Sequence, residues 1–122
     1  HMAEDYFANG GLTEGELITR ICFEIPSKGT YLKHTRASST DAVVGVLVSR
    51  FEERCRVAIV GAQRVAFLCP ALEAALGTRF HQDVYERNHI PDDMFIHRDD
   101  ASLDYQLNLV EVLCKKAIKG CA

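Results

Sequence analysis

The chain has 122 residues, is 48% hydrophobic and 25% charged, and has a formal net charge of -3. This length and composition are typical of one globular domain and too small for two. Because the charges are balanced and no basic block is present, the sequence predicts no attraction to nucleic acid or to a membrane surface. The longest apolar run, residues 42–48, is far too short to cross a bilayer.

The five cysteines predict reduced thiols and a cytoplasmic protein. Their number is odd and no two are spaced as C-x-x-C, which disfavours a disulfide framework or a zinc knuckle. His1 and Met2 look like a remnant of cloning at a start codon. We therefore expect residues 3–122 to form a single domain.

The first strand signal follows a polar, glycine-bearing lead-in at residues 3–15. Residues 17–25 alternate in character, with Arg20 and Glu24 on one parity. The large apolar side chains of the segment lie on the other parity: Leu17, Ile21, Phe23 and Ile25. This alternation predicts a strand, which Pro26 should end.

Three more strands are predicted before residue 61. They span residues 31–36, 43–51 and 55–60. The second of these is apolar on both parities at its start, which predicts a central position in the sheet. Residues 64–68 either continue the sheet or begin a loop.

Helix signals occupy the second half of the chain. Pro70 and Gly77 bracket a short helix at 71–76, and a weaker helix is predicted over 80–88 before a loop at 90–100. The clearest helix is 102–119, which has an apolar stripe at helical spacing and Ser102 as its N-cap.

Strands followed by helices predict an α+β fold. We expect an antiparallel sheet of three to five strands with helices packed on one face. The C-terminal helix should provide most of that layer, because it is the longest and most amphipathic.

Two acidic or histidine-rich groups are candidate sites. The histidines are evenly spaced at 81, 89 and 97 with aspartates between them, but no pair has the i,i+4 spacing that forms a ligand face on a helix. A solvated acidic loop is the alternative to a metal site. Asp99 and Asp100 either act as catalytic carboxylates or serve the positive end of the last helix, which the pattern favours.

Lys33 is the stronger candidate. In an extended strand Tyr31, Lys33 and Thr35 share one face, which places an ammonium beside an aromatic ring at the rim of a sheet. A lysine on an ordinary solvated surface is the alternative reading.

Four segments, in order, resemble a known family. They are GELITRICFEIP, YLKHTRASSTDAVVGVLV, RVAIVGAQRVAF followed by LEAALG, and ASLDYQLNLVEVLCKKAI. Together they are similar to the C-terminal domain of the FAD-binding medium subunit of molybdenum hydroxylases, the flavoprotein family of carbon monoxide dehydrogenase and xanthine dehydrogenase. The resemblance runs from about Glu4 to Lys119.

The resemblance implies an oxidoreductase subunit in which electrons pass from a molybdenum centre through iron-sulfur clusters to FAD and then to an acceptor. Lys33 would reach the flavin, supported by Tyr31 and Arg36. N-terminal FAD-binding domains, on the same or a separate chain, and the molybdenum and iron-sulfur subunits would be its partners. The chain lacks a glycine-rich phosphate loop, so we expect no FAD binding and no activity from it alone.

The chain departs from the family pattern at two positions. Thr40 stands where the family has Asp, and Gln106 stands where it often has Arg. The alternative function is a standalone, non-catalytic interaction or dimerisation module that has lost the FAD-binding domains. Exposed apolar surface left by those domains would then favour a homo-oligomer.

Overall fold

The computed structural model describes residues 2–35 and 42–122. Within them, in chain order, lie helix α1, four strands, helix α2, three short 3-10 turns and helix α3. Their bounds are α1 Ala3–Ala8, β1 Lys28–Thr35, β2 Ala42–Arg50, β3 Cys55–Val60, β4 Phe67–Leu68, α2 Pro70–Thr78 and α3 Leu103–Gly120. The 3-10 turns are Gln82–Val84, Arg87–His89 and Asp92–Met94.

The four strands of the described residues form one antiparallel sheet in the order β1-β2-β3-β4. Every neighbouring pair is consecutive in the chain, as short connections between strands favour. The strand β2 is central and its valines are buried on both faces at its start, as the sequence predicts. The β4 strand is only two residues long, so within residues 64–68 only Phe67 and Leu68 continue the sheet.

The core lies between one face of this sheet and helix α3. Tyr105 Oη lies 3.1 Å from His34 Nε2, and at the other end of the helix Cys121 Sγ donates to the carbonyl of Val48 over 3.2 Å. The apolar stripe of α3 is buried against the valines of β2 from Leu107 to Ile118, whereas Leu103 at its start is 41% exposed. The predicted α+β fold, with the C-terminal helix packed on one face of an antiparallel sheet, is therefore confirmed.

The starts of both predicted helices carry the expected signals, whereas Gly77, predicted to end the first of them, lies inside α2, which continues to Thr78. Pro70 is the first residue of α2, and the Ser102 hydroxyl accepts a hydrogen bond from the amide of Tyr105 at the start of α3. The helix predicted over 80–88 is wrong. Two 3-10 turns occupy this stretch, because Tyr85 turns into the core between them and breaks any continuous helical face.

The strand predicted over 17–25 is also wrong. These residues belong to no strand, and no backbone hydrogen bond joins 17–26 to any described residue. We call residues 2–26 the arm and the remaining described residues the body. None of the arm's side chains is buried, so the alternation here is not matched by a partner strand within the described chain.

Candidate functional site

The two faces of the sheet differ in what covers them. On β1 the even-numbered residues face α3, as the contact of His34 with Tyr105 shows. The odd-numbered residues Tyr31 and Lys33 lie on the opposite face, where they pair with Leu47 and Gly45 of β2. We call this second face the open face; it comprises Tyr31, Lys33, Gly45, Leu47, Ala58, Val60 and Leu68.

The open face is largely apolar and partly exposed. Tyr31, on the terminal strand, is 49% exposed, and Leu47, on the strand beside it, is 40% exposed. Ala58, Val60 and Leu68 continue the surface toward β4 and are half-buried. An exposed apolar surface of this kind marks a site of contact with a partner or a ligand.

Gly45 shapes this face by letting the Tyr31 ring lie across the strand. A Cβ atom added at Gly45 would lie 2.7 Å from Tyr31 Oη and 2.6 Å from Val60 Cγ2. The ring therefore occupies the space that any other residue at position 45 would fill, and it bridges β1 to β3. Sequence reasoning missed Gly45 and Leu47 as members of the site, although a glycine inside an otherwise apolar strand is a signal of close approach.

Lys33 lies at the rim of the open face, two residues from Tyr31 on the same strand. Its side chain is exposed and forms no hydrogen bond or ion pair with a described residue. The ammonium is thus free to reach a ligand held over the tyrosine. Arg36 lies outside the described residues, so the structure brings together only two of the three predicted flavin contacts.

The histidines and aspartates of the second half do not form a metal site among the described residues. Each histidine is instead engaged by its own neighbours. His81 Nδ1 lies 3.1 Å from Asp83 Oδ2, and His89 Nδ1 accepts from the amide of Glu86 over 3.0 Å. Asp100 forms a two-point ion pair with Arg98 at 2.8 and 2.9 Å, so its contacts are to an arginine.

Of the two departures from the family pattern, one can be located. Thr40 lies outside the described residues. Gln106 is 1% exposed and its Nε2 donates to the carbonyl of Ala101 over 3.2 Å, while its Oε1 has no partner. Gln106 thus ties the first turn of α3 to the segment that precedes it.

Four of the five cysteines are buried and one, Cys22, is exposed on the arm. Burial, with a smaller contribution from the Glu73 carboxylate, raises the pKa of the Cys69 thiol to about 12. Burial, with a smaller contribution from Cys69, also raises the pKa of Cys114. Such thiols stay protonated and are poor nucleophiles. Cys69 and Cys114 therefore offer no catalytic thiolate.

Searches of protein-family models, of curated proteins and of solved structures found no match to this chain. None of the helices in the described part of the chain has the length and apolar character needed to span a bilayer. The resemblance to molybdenum hydroxylase flavoproteins therefore stays a prediction from the four sequence segments.

Proposed function

We propose that the chain is the C-terminal domain of an FAD-containing oxidoreductase subunit of the molybdenum hydroxylase type, whose open face covers the flavin. The observation that carries the proposal is Lys33, an exposed ammonium with no described partner, beside a half-exposed Tyr31 on an apolar surface. This placement supports the role that the sequence resemblance implies for the two residues.

The chemistry of a flavin suits such a surface. The isoalloxazine ring is flat and largely apolar, and on reduction it gains negative charge near N1 and the C2 carbonyl. An ammonium at the rim stabilises that charge and so raises the reduction potential of the flavin. Lysine is suited to this role, because its compact charge is carried on a long stem.

The body provides one wall of a flavin site and no cradle for the pyrophosphate. A cavity of about 440 Å³ lies between the arm and the β2–β3 turn, but its charged lining is three carboxylates against one guanidinium: Glu24, Glu52, Glu53 and Arg54. Carboxylates repel a pyrophosphate, so this cavity does not suit FAD. Partner domains must hold the dinucleotide, with electrons delivered by molybdenum and iron-sulfur subunits of a cytoplasmic enzyme.

The test uses the chain together with the FAD-binding domains of a molybdenum hydroxylase medium subunit. We expect the mixture to retain yellow flavin absorbance that neither part retains as well alone. Lys33→Met keeps the stem and removes the charge, and should lower the flavin midpoint potential by about 30–60 mV, the equivalent of one charge-assisted hydrogen bond in a two-electron couple.

Lys119→Met, an equally exposed lysine at the end of α3, is the matched control and should leave the potential unchanged. Equal flavin content and equal potential in the wild type and the Lys33 variant would remove Lys33 from the site. A mixture that never takes up flavin would refute the flavin-covering function itself.

A second function, a non-catalytic interaction or dimerisation module, is favoured by a different feature. Of the 14 large apolar side chains that are exposed among the described residues, eight belong to the arm: Met2, Phe7, Leu12, Leu17, Ile18, Ile21, Phe23 and Ile25. So many exposed apolar side chains on one short segment indicate that the arm contacts a partner.

A further inference from the structure

We propose that residues 16–25 of the arm dock, as an added strand, on the free edge of β1 in a second copy of this chain. The inference rests on the second candidate function, the interaction module, and is independent of flavin binding. It names the partner, the donor segment and the acceptor surface of that module.

The donor segment has the residue alternation of a strand but no strand partner among the described residues. Leu17, Ile21, Phe23 and Ile25 are between 77% and 82% exposed and share one parity. Their backbone groups have no hydrogen-bond partner among the described residues. An extended segment with one apolar face and free backbone groups gains both kinds of contact when it joins the edge of a sheet.

The geometry at the base of the arm disfavours pairing within the same chain. To pair with its own β1, the arm would have to fold back through a turn at Pro26 and Ser27. Instead both the amide and the hydroxyl of Ser27 donate to the carbonyl of Arg50 over 2.8 Å. An ion pair between Glu24 and Arg54 also holds the arm against the β2–β3 turn, off the end of the sheet.

The acceptor is the unpaired edge of β1 together with the neighbouring flank of α3. In the described sheet β1 is the terminal strand and pairs with β2 alone. Tyr105 reaches His34 of β1 and so marks the flank of α3 that faces this edge. Tyr105 is 40% exposed, and Leu109, one turn further along that flank, is half-buried. Apolar side chains of an added strand would pack against these two.

Charge favours the arm over a neutral strand as the occupant. The docking segment, residues 16–25, carries Glu16 and Glu24 against Arg20, a net charge of -1, whereas β1 carries Lys28 and Lys33 and no acid. Lysines on an edge strand discourage pairing with unrelated strands, and an acidic strand overcomes that discouragement.

The size of the contact is sufficient for a stable dimer. A two-fold axis near Pro26 lets each copy donate its arm and accept the other, which closes the assembly at two chains. Four large apolar side chains per arm and the backbone edges of two β1 strands leave water in the dimer, which amounts to on the order of 1,200 Å², the lower end for a specific interface.

Sedimentation equilibrium on the whole chain tests this. We expect a dimer of the 13.6 kDa chain that dissociates on dilution. Phe23→Glu places a charge on the apolar parity, and should raise the dissociation constant at least about a hundredfold because each dimer loses two buried rings. Cys22→Glu adds the same charge at the adjacent position on the solvent-facing parity, and should change the constant less than about fivefold.

A complementation experiment separates arm-to-edge docking from pairing of two arms. Tyr105→Glu damages the acceptor flank and leaves the arm intact, and circular dichroism verifies that the variant is folded. We expect it to be monomeric alone and to form a heterodimer when mixed with the Phe23→Glu variant. Three results would each overturn the proposal. The wild type could be monomeric at hundreds of micromolar, Phe23→Glu and Cys22→Glu could have equal effects on the dissociation constant, or the mixture of variants could fail to associate. If the wild type is a dimer and Phe23→Glu leaves its dissociation constant unchanged, docking of the arm on β1 is overturned. The second proposed function, an interaction module, would still stand.

Discussion

At the scale of single residues, Gly45 and Tyr31 form the contact on which the open face depends. A Cβ at position 45 would approach Val60 Cγ2 to 2.6 Å and Tyr31 Oη to 2.7 Å, closer than side chains tolerate. The tyrosine must therefore leave the strand surface, or Val60 must rotate, if position 45 gains a methyl group. Overpacking of this kind destabilises a protein by about 1–3 kcal/mol.

We expect Gly45→Ala to lower the free energy of unfolding by about 1–2 kcal/mol, measured by urea denaturation. Gly77→Ala makes the same chemical change inside α2, where nothing lies within 4 Å of the new methyl group. That variant should be stabilised by about 0.5–1 kcal/mol, because alanine is the better helix former. Effects of the same sign in the two variants would contradict the packing described for Tyr31.

The residues of the candidate site were predictable only in part. The alternation of residues 31–35 is local, so it correctly places Tyr31 and Lys33 on one face of a strand. Their cross-strand neighbours Leu47 and Gly45 depend on the register of β1 against β2, which no local pattern determines. The role of Lys33 itself comes from the resemblance and stays a prediction.

At the scale of elements, Glu73 joins helix α2 to the sheet. Because β4 pairs with only two residues of β3, the rest of that strand's edge needs other partners. One carboxylate oxygen of Glu73 accepts from the amide of Val57 over 2.9 Å, and the other lies 3.0 Å from Arg56 Nη1. A helix side chain thus takes the place of a neighbouring strand.

We expect Glu73→Ala to lower the free energy of unfolding by about 1–3 kcal/mol, because it leaves a part-buried amide of β3 without an acceptor. Glu73→Gln keeps an acceptor oxygen and loses only the half-exposed ion pair with Arg56, so its cost should be under about 1 kcal/mol. Thermal and urea unfolding measure both. If both variants lose the same free energy of unfolding, the stabilisation comes from the charge of Glu73 and not from its hydrogen bond to the amide of Val57.

The elements differ in how far their sequences determine them. The α3 helix combines a periodic apolar stripe with an N-cap, and β2 and β3 have continuous or alternating apolar residues, so local signals and packing agree. Residues 17–25 carry an equally clear alternation but no strand partner in the described chain. The 80–88 stretch contains helix formers, yet burial of Tyr85 takes precedence over propensity.

At the scale of the whole molecule, the described chain has one completed core and two incomplete surfaces. The core lies between α2, α3 and one face of the sheet, and it includes all the fully buried aliphatic side chains. The open face and the arm lie outside it, and each exposes large apolar groups. The flavin proposal concerns the first surface and the dimer proposal the second, so either can fail without the other.

The core also contains ionisable groups that link its stability to pH. Cys69 stands at the start of α2 and Cys114 in the middle of α3, with Tyr85 close to both. Burial is the largest cause of the raised pKa at each of the three groups. Because they belong to different elements of one core, their ionisation is coupled to global unfolding.

We therefore expect the body to lose stability in alkali. The Cys69 pKa is about 12 in the folded chain and 9.0 for an ordinary thiol, so below pH 9 both states keep the proton and the stability is complete. Between pH 9 and 12 only the unfolded state releases it, and the free energy of unfolding falls by about 1.4 kcal/mol per pH unit for each such thiol.

Urea denaturation at pH 8, 9, 10 and 11 measures this slope. Cys69→Ala should reduce the slope by about one proton. An equal slope in the variant and the wild type would remove Cys69 from the groups that cause the loss of stability in alkali.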